Sequence, residues 1–426
     1  MPPNDNTSAA ADDVPHLKCL AVLSPSASEV TPQNPGTPAT AVAQRSPLSS
    51  LDPKSASIES SPAWQVSWSP DGRSLASCHG APDPCVRIWS RRCSEEDGTA
   101  GDGDGVSPWV LASVLRGGHA RTVRSVSFAP TGNVLASASF DGTVAIWERF
   151  DDNGIGSGEG GWECTAQLEG HESEVKCVAW NGTGSLLATC GRDKSVWIWE
   201  SFLSGTVGGA EGGSGDGEFE CIAVLHGHTG DVKSVAFAPS LGQWGDGDEV
   251  LFSASYDDTI KCWAEDAGDW YCAATLSSAH SSTVWSVAAA GGGARLVSGS
   301  ADKSLAVWKC YTATERRRME PDSEGSDGLW KCVGRLPGAH DFAVHSVHCS
   351  PSRAGHGRIA SGGADDCINV YCEVGGSSDT PQFALDATAP GAHSGDVNCV
   401  RWHPRDGSIL SSAGDDGLVK VWRYKA

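Results

Sequence analysis

The chain has 426 residues with 31 Lys and Arg against 53 Asp and Glu, a net charge of -22 at neutral pH, and that balance argues against a phosphate backbone or an anionic membrane surface as its partner. Hydrophobic residues make up 39%, whereas glycine numbers 52, proline 22 and methionine only 2, which favours turns and short strands over long helices. The 16 cysteines, in a long chain that shows no export signal, read as reduced thiols of the cytosol rather than a disulfide framework.

The N-terminus carries Asp5, Asp12 and Asp13 in place of a basic region, and its one apolar run, Leu17 to Leu23, is broken by Lys18. Neither a signal peptide nor a membrane span is expected from it. Residues 1–15 read as a disordered tail, 16–24 as a strand, 25–57 as a flexible segment rich in Pro, Ser, Thr and Ala, and 58–426 as a repeat array.

The repeat is marked by histidines in GH or AH pairs: His119, His171, His228, His280, His340 and His393, at successive intervals of 52, 57, 52, 60 and 53 residues. After each comes a V-x-[SC]-V strand, a turn such as APTGN or NGTGS, a small-residue strand such as LASAS or LLATC, an Asp, and an apolar strand ending in an aromatic. The aspartates are Asp141, Asp193, Asp257, Asp302, Asp365 and Asp415, and the aromatics Trp147, Trp199, Trp263, Trp308, Tyr371 and Trp422. A first copy, AWQVSWSPDGRSLASCHGAPDPCVRIW, lacks the GH pair but ends at Trp89, which makes seven units. His, a Ser or Thr of the second strand, Asp and Trp can form one buried hydrogen-bonded chain per unit. Six recurrences favour a structural network over a catalytic pair.

A fourth strand recurs as WECTAQL, FECIAVL, WYCAATL and WKCVGRL, and LKCLAVL at 17–23 belongs to the same set although it precedes the first repeat. Only RYKA follows Trp422. The last unit therefore needs an outer strand, and Leu17 to Leu23 is expected to supply it, removing the open sheet edges. Deletion of residues 1–24 should accordingly cost more stability than deletion of 27–54.

GH, the Asp turn and a closing Trp-Glu, as in Trp147-Glu148 and Trp199-Glu200, resemble the WD repeat, and seven such units imply an all-β, seven-bladed β-propeller. The stretches LEGHESEVKCVAW, LLATCGRDKSVWIWE, SASYDDTIKCW, HSSTVWSVA and HSGDVNCVRWHP are more specific. They resemble the WD-repeat subunit of the cytosolic iron-sulfur protein assembly (CIA) targeting complex, over roughly residues 60–426. Departures are the N-terminal tail, the Gly-Asp insertions, and Gly191 where the family usually has Ser.

No site for bound metal or cofactor is expected. The cysteines fall in repeat phase (Cys19, Cys164, Cys221, Cys272 and Cys332 on outer strands, Cys177 and Cys399 on first strands, Cys78 and Cys190 on second strands) and no C-x-x-C occurs, whereas zinc and Fe-S ligation need converging thiolates. The Gly-rich stretches lack the Gly-Lys-Ser/Thr of a phosphate loop and the Glu of a calcium loop, and neither G-x-S-x-G nor H-E-x-x-H is present. An enzyme is not expected.

In a four-stranded meander, the turns after first and third strands lie at one end of the blade. The insertions after Arg91, Phe150 and Glu200, the stretch Tyr311 to Gly328, and LGQWGDGDE at 241–249 all fall there, and read as mobile acidic loops. The other end keeps short turns and is the candidate docking face. Its centre is expected to be lined by Gln65, Arg124, Lys176, Lys233, Trp285, His345 and Asn398, the x of each V-x-[SC]-V, and by Phe140, Arg192 and Tyr256 before the turn aspartates. Arg124, Lys176, Lys233 and Arg192 beside Phe140, Tyr256 and Trp285 make a basic, aromatic patch suited to acidic or aromatic-ended peptides.

The resemblance implies more. In the CIA family the arginine of the RDKSVW motif is a functional surface residue, and it falls on Arg192. The implied role is a non-catalytic scaffold that joins a small acidic-domain scaffold subunit and a HEAT-repeat subunit, meets the iron-only-hydrogenase-like cluster carrier, and helps deliver [4Fe-4S] clusters to apoprotein clients of cytosol and nucleus. The alternative is a WD-repeat substrate receptor of a cullin-RING ubiquitin ligase, whose W-[DE]-x-[RK] signature is not met by WERF, WESF or WAED.

Overall fold

In the computed structural model, residues 15–25, 61–91, 109–150, 161–202, 218–320, 328–336, 340–351 and 357–425 are described. They form seven four-stranded antiparallel sheets, the blades of a propeller. The inner strands are Ala63–Trp68, Val123–Phe128, Val175–Trp180, Val232–Pro239, Val284–Ala290, Val344–Cys349 and Val397–Trp402, numbered here as blades one to seven. Inner strands of successive blades lie side by side, and the inner strand of blade seven meets that of blade one.

Radial position explains the composition of each strand. Second strands such as Val134–Ser139 are sandwiched between neighbouring blades and wholly buried, so they are built of small residues. Outer strands such as Gly161–Leu168 are mostly exposed. The core consists of seven apolar clusters, each shared by two adjacent blades. Between blades three and four, for example, Ile198 and Leu225 pack against Val232, Leu251 and Trp263.

Inner strands are also tied by polar contacts. The amides of Val178, Val287, Val347 and Val400 donate to the hydroxyls of Ser125, Ser234, Ser286 and Ser346 in the preceding blade, at 3.1, 3.4, 3.1 and 3.1 Å. The serine of V-x-[SC]-V is thus an inter-blade acceptor.

Strand His16–Leu23 pairs antiparallel with Val419–Lys425 and completes blade seven. Leu23 is 4% exposed in the seam with blade one, beside Ala63, Trp68 and Trp89. The ring is closed by chain from its two ends.

Of two segments expected to be mobile acidic loops, residues 241–249 and 311–320 are ordered instead, while 321–327 lie outside the described residues. In LGQWGDGDE, Trp244 is 3% exposed and packs in the core between blades four and five. Within Tyr311–Gly328, Thr312 caps a short helix, Ala313–Met319, through a capping box with Glu315. The two are joined, since Gln243 accepts from the Ala313 amide at 3.0 Å and its carbonyl accepts from the Gly328 amide at 3.2 Å. A buried indole gives the Gly-rich stretch the apolar anchor that its composition conceals. The tail 1–14, most of the segment 25–57 and the insertions after Arg91, Phe150 and Phe202 lie outside the described residues.

The closing strand yields a paired test. Leu23→Ala is expected to cost about 2–4 kcal/mol in denaturant unfolding, as for a buried leucine, whereas Val22→Ala, at a position 53% exposed, should change stability by less than about 0.5 kcal/mol.

Candidate functional site

Each complete blade carries the same buried chain of polar groups. In blade three, Trp199 Nε1 donates to Thr189 Oγ1 at 3.1 Å, Thr189 Oγ1 lies 2.8 Å from His171 Nε2, and His171 Nδ1 lies 2.7 Å from Asp193. The consistent assignment has the hydroxyl donate to Nε2 and a neutral imidazole donate from Nδ1 to the carboxylate. Asp193 also accepts the Ser195 amide and hydroxyl, which fixes the turn.

The same contacts join Trp147, Ser137, His119 and Asp141, then Trp263, Ser253, His228 and Asp257, and Trp308, Ser298, His280 and Asp302. In blade six Tyr371 replaces the Trp, while His340 keeps Ser361 at 2.7 Å and Asp365 at 2.9 Å.

Blade seven corrects the reading of its aspartate. Trp422, Ser412 and His393 are linked as expected, but His393 Nδ1 meets Asp416 at 2.8 Å, not Asp415. The physical reason is turn geometry: Asp416 is the residue whose carboxylate accepts the amide two positions on, that of Leu418, at 3.1 Å. In every blade that aspartate stands six residues before the closing aromatic, a spacing that 416 satisfies and 415 does not. Asp415 accepts instead from Asn398 Nδ2 at 2.7 Å, whose amide also donates to Ala63 O of blade one.

Blade one rebuilds the chain without the GH histidine. Trp89 donates to Ser77 at 2.9 Å, Ser77 meets His79 Nε2 at 2.9 Å, and buried Arg87 lies 3.0 Å from His79 Nδ1. Burial, with Arg87 beside it, pulls the His79 pKa down to about 3. His79 sits at the end of the second strand, a place where the repeat pattern gives no reason to seek it.

The rim of the channel has a structural origin in seven β-bulges. In each blade the register between first and second strands slips by one residue, at Trp64, Arg124, Lys176, Lys233, Trp285, His345 and Asn398. A bulge residue has no ladder partner opposite and its side chain is re-aimed. These seven side chains converge on one narrow opening of the central channel. In blade one the bulge residue is therefore Trp64 rather than Gln65, and both line the opening. Gln65 occupies the serine position, where its Oε1 accepts the Val126 amide at 2.8 Å.

Around this opening cations lie against aromatic faces. Arg124 stands 4.9 Å from the Trp64 ring, Lys176 4.1 Å from Phe140, and Lys233 5.2 Å from Trp285 and 5.6 Å from Tyr256. Lys176 pairs with Glu174 at 2.5 Å and Lys233 with Asp231 at 3.1 Å. Arg192 is 60% exposed, with Glu174 3.8 Å away. Burial pulls the Lys176 pKa down although Glu174 opposes it.

Arg121, not singled out by the repeat, adds a cation 3.2 Å from Glu174. Across blades two to four the rim thus sets Arg121, Arg124, Lys176, Arg192 and Lys233 against Glu174 and Asp231. Farther round, exposed Phe342 lies beneath Lys303 at 5.5 Å. Gly191 leaves out a tie that the serines of blades two, four and five make, such as Ser139 Oγ to Arg121 O at 3.1 Å.

Outer-strand cysteines stand opposite the closing tryptophans, as Cys164 does Trp147 and Cys221 does Trp199. Among the described residues no group of three or more His, Cys, Asp or Glu is placed to hold a metal ion.

The model of the WD domain, G-beta repeat, matches residues 48–90, 110–148, 162–200, 219–264, 270–309 and 388–423, more than half of the chain, so the rim crowns a WD-repeat propeller. The chain is 41% identical to the probable cytosolic iron-sulfur protein assembly protein Ciao1 of Culex quinquefasciatus, over 85% of this chain and 94% of that protein. It is 38% identical to the probable cytosolic iron-sulfur protein assembly protein 1 of Vanderwaltozyma polyspora over 72% and 82%, and 32% identical to that of Chaetomium globosum over 74% and 85%. The chain belongs to this family of cytosolic iron-sulfur protein assembly WD-repeat proteins.

Two tests separate the network from its neighbours. Asp416→Ala is expected to cost about 3 kcal/mol, as for a charged hydrogen bond lost from a buried partner, and Asp415→Ala about 1 kcal/mol; equal costs would contradict the assignment. For pH, burial pushes the turn carboxyls up, but bonds from histidine, hydroxyl and amide outweigh it and hold Asp193, Asp257 and Asp416 at about 2, below the ordinary 3.8. In that window the unfolded chain binds more protons, so this stability is complete above about pH 4 and lost toward about pH 2. Burial also lowers His228 and His280 from 6.5, so their protonation favours unfolding as well. The melting temperature should fall steadily on acidification from about pH 6.5; a rise between about pH 6 and 4 would contradict the assignment.

Proposed function

We propose that the protein is a non-catalytic docking scaffold of cytosolic iron-sulfur protein assembly and that the bulge-built rim is its docking face. The observation that carries this reading is the convergence of seven bulge residues on one opening, with cations held against aromatic rings, in a chain of net charge -22. Arg192, Arg124, Lys176 and Lys233 would engage acidic groups of a partner, and Phe140, Tyr256 and Trp285 its apolar side chains. Tyr256, 62% exposed, offers an aromatic anchor of the kind that dominates interface energy. Positive charge on an acidic molecule also orients an acidic partner before contact.

On this reading the cluster is cargo, carried by partners rather than held by this chain. The partners are the scaffold subunit, the HEAT-repeat subunit, the iron-only-hydrogenase-like cluster carrier and the Fe-S apoprotein clients, and the site of action is the cytosol, with nuclear clients served as well. The relatives' names, which place them in cytosolic iron-sulfur protein assembly, support this role.

The test is recovery of bound proteins from native cytosol at moderate salt, comparing wild type with Arg192→Glu. Wild type should retain the scaffold and HEAT-repeat subunits, and the variant should lose at least one of them by about tenfold, equivalent to about 1.4 kcal/mol. The melting temperature should shift by no more than about 2 °C, because an exposed pair with Glu174 adds little stability. Full retention by the variant, or recovery of cullin adaptors by the wild type, would overturn the proposal.

A further inference from the structure

The ladder of blade three sets Cys177 directly opposite Cys190. Directly opposed residues of an antiparallel pair project to the same face with Cβ atoms about 4.5–5.5 Å apart. Their Cα separation of about 4.5–5.5 Å lies inside the range that a disulfide bridges. Both thiols are buried in the seam with blade four, at 7% and 0% exposure. Among the described residues no other cysteine has a cysteine as its ladder partner: Cys78 faces Gln65, Cys349 faces Ile359, Cys372 faces Ala384 and Cys399 faces Ala413.

The two thiols have different surroundings. Cys177 lines the channel both at the rim opening and in the wider space below it, so a small solute can reach it. Cys190 lies behind, donating to Val232 O of blade four at 3.5 Å. Cys177 also stands where blades two, four, five and six carry the inter-blade serine, and it takes a hydrogen bond from the next blade's amide, that of Val235. The Cys190 thiol draws the Cys177 pKa below the usual thiol range against burial, which pushes it up, and the Val235 amide adds to the lowering; burial pushes that of Cys190 up. Because Cys177 lines the channel and Cys190 does not, Cys177 is the thiol that an entering solute meets first and is the nucleophile.

We propose that Cys177 and Cys190 form a two-electron redox site that closes to an intrachain disulfide when a small hydroperoxide enters the channel. The Cys177 sulfur attacks the terminal peroxide oxygen; the O–O bond breaks, the alcohol leaves with a proton, and Cys177 becomes a sulfenic acid. The Cys190 sulfur then attacks the sulfenic sulfur, the S–S bond forms, and the hydroxyl leaves as water with the Cys190 proton. The two thiols lose two electrons, and the hydroperoxide is reduced to alcohol and water. A dithiol reductant reverses the change by thiol–disulfide exchange.

The experiment treats the reduced full-length protein with tert-butyl hydroperoxide, unfolds it in N-ethylmaleimide, and maps a digest made without reductant. The expected product is a peptide linked between Cys177 and Cys190, with loss of maleimide from both in equal proportion and its recovery after dithiothreitol. In Cys190→Ser the linked peptide should vanish, and dimedone should label Cys177. The proposal is overturned if both residues stay maleimide-labelled in wild type while the exposed Cys19, Cys164 and Cys221 are oxidised. It is equally overturned if Cys177 links to any cysteine other than Cys190. The wild-type map decides the matter even where the variant folds poorly.

Discussion

A ring of sheets is stable only if every blade has a neighbour on both sides, and the last neighbour has to come from the other end of the chain. Here that constraint is met by pairing His16–Leu23 with Val419–Lys425. Without it blade seven would have three strands, and Leu23 would be missing from the cluster it shares with Ala63 and Trp89. The other six seams would remain, but the ring they form would have a weak joint. Closure is also what brings Asn398 of blade seven against Ala63 of blade one, and so completes the circle of bulges around the channel.

Within that ring the buried polar chain and the rim serve different ends. The chain from Trp through Ser or Thr and His to Asp consumes the hydrogen-bonding capacity of its members inside each blade, which is why an imidazole and a carboxylate 2.7–3.3 Å apart are structural in this protein. The rim is the reverse case. Its side chains sit on residues that the ladder has expelled, so their identity is free to vary from blade to blade without harm to the sheet. This freedom explains how Arg124, Lys176, Lys233, Trp285 and Asn398 occupy equivalent positions.

Much of this was legible in the sequence because the repeat fixes phase. The seven units, the closing strand and most of the network residues follow from the spacing of His, Asp and Trp. The failures occur where phase is ambiguous or the repeat is silent. Tandem Asp415-Asp416 offers two candidates, and only the six-residue interval to Trp422 decides between them. In the first blade, aligning Ala63-Trp64-Gln65-Val66 with V-x-[SC]-V would have placed Trp64 on the rim. His79 could not have been found this way, since it joins the network from the end of the second strand, and Arg87 stands two residues before the closing aromatic, a place from which only Asn369 of blade six likewise hydrogen-bonds the network histidine among the described residues. Trp244 was hidden by the glycines around it, and Arg121 by a turn position that carries no repeating residue.

The central claim is that partners dock on the bulge-built rim and not on the insertion-bearing end. The most direct measurement is hydrogen exchange of the protein alone and in complex with its assembly partners, read peptide by peptide. Protection confined to segments around 119–124, 171–176, 190–194, 228–233 and 254–258 is the result this account predicts. Protection of 240–249 and 311–320 at the opposite end, with the rim unchanged, would contradict it.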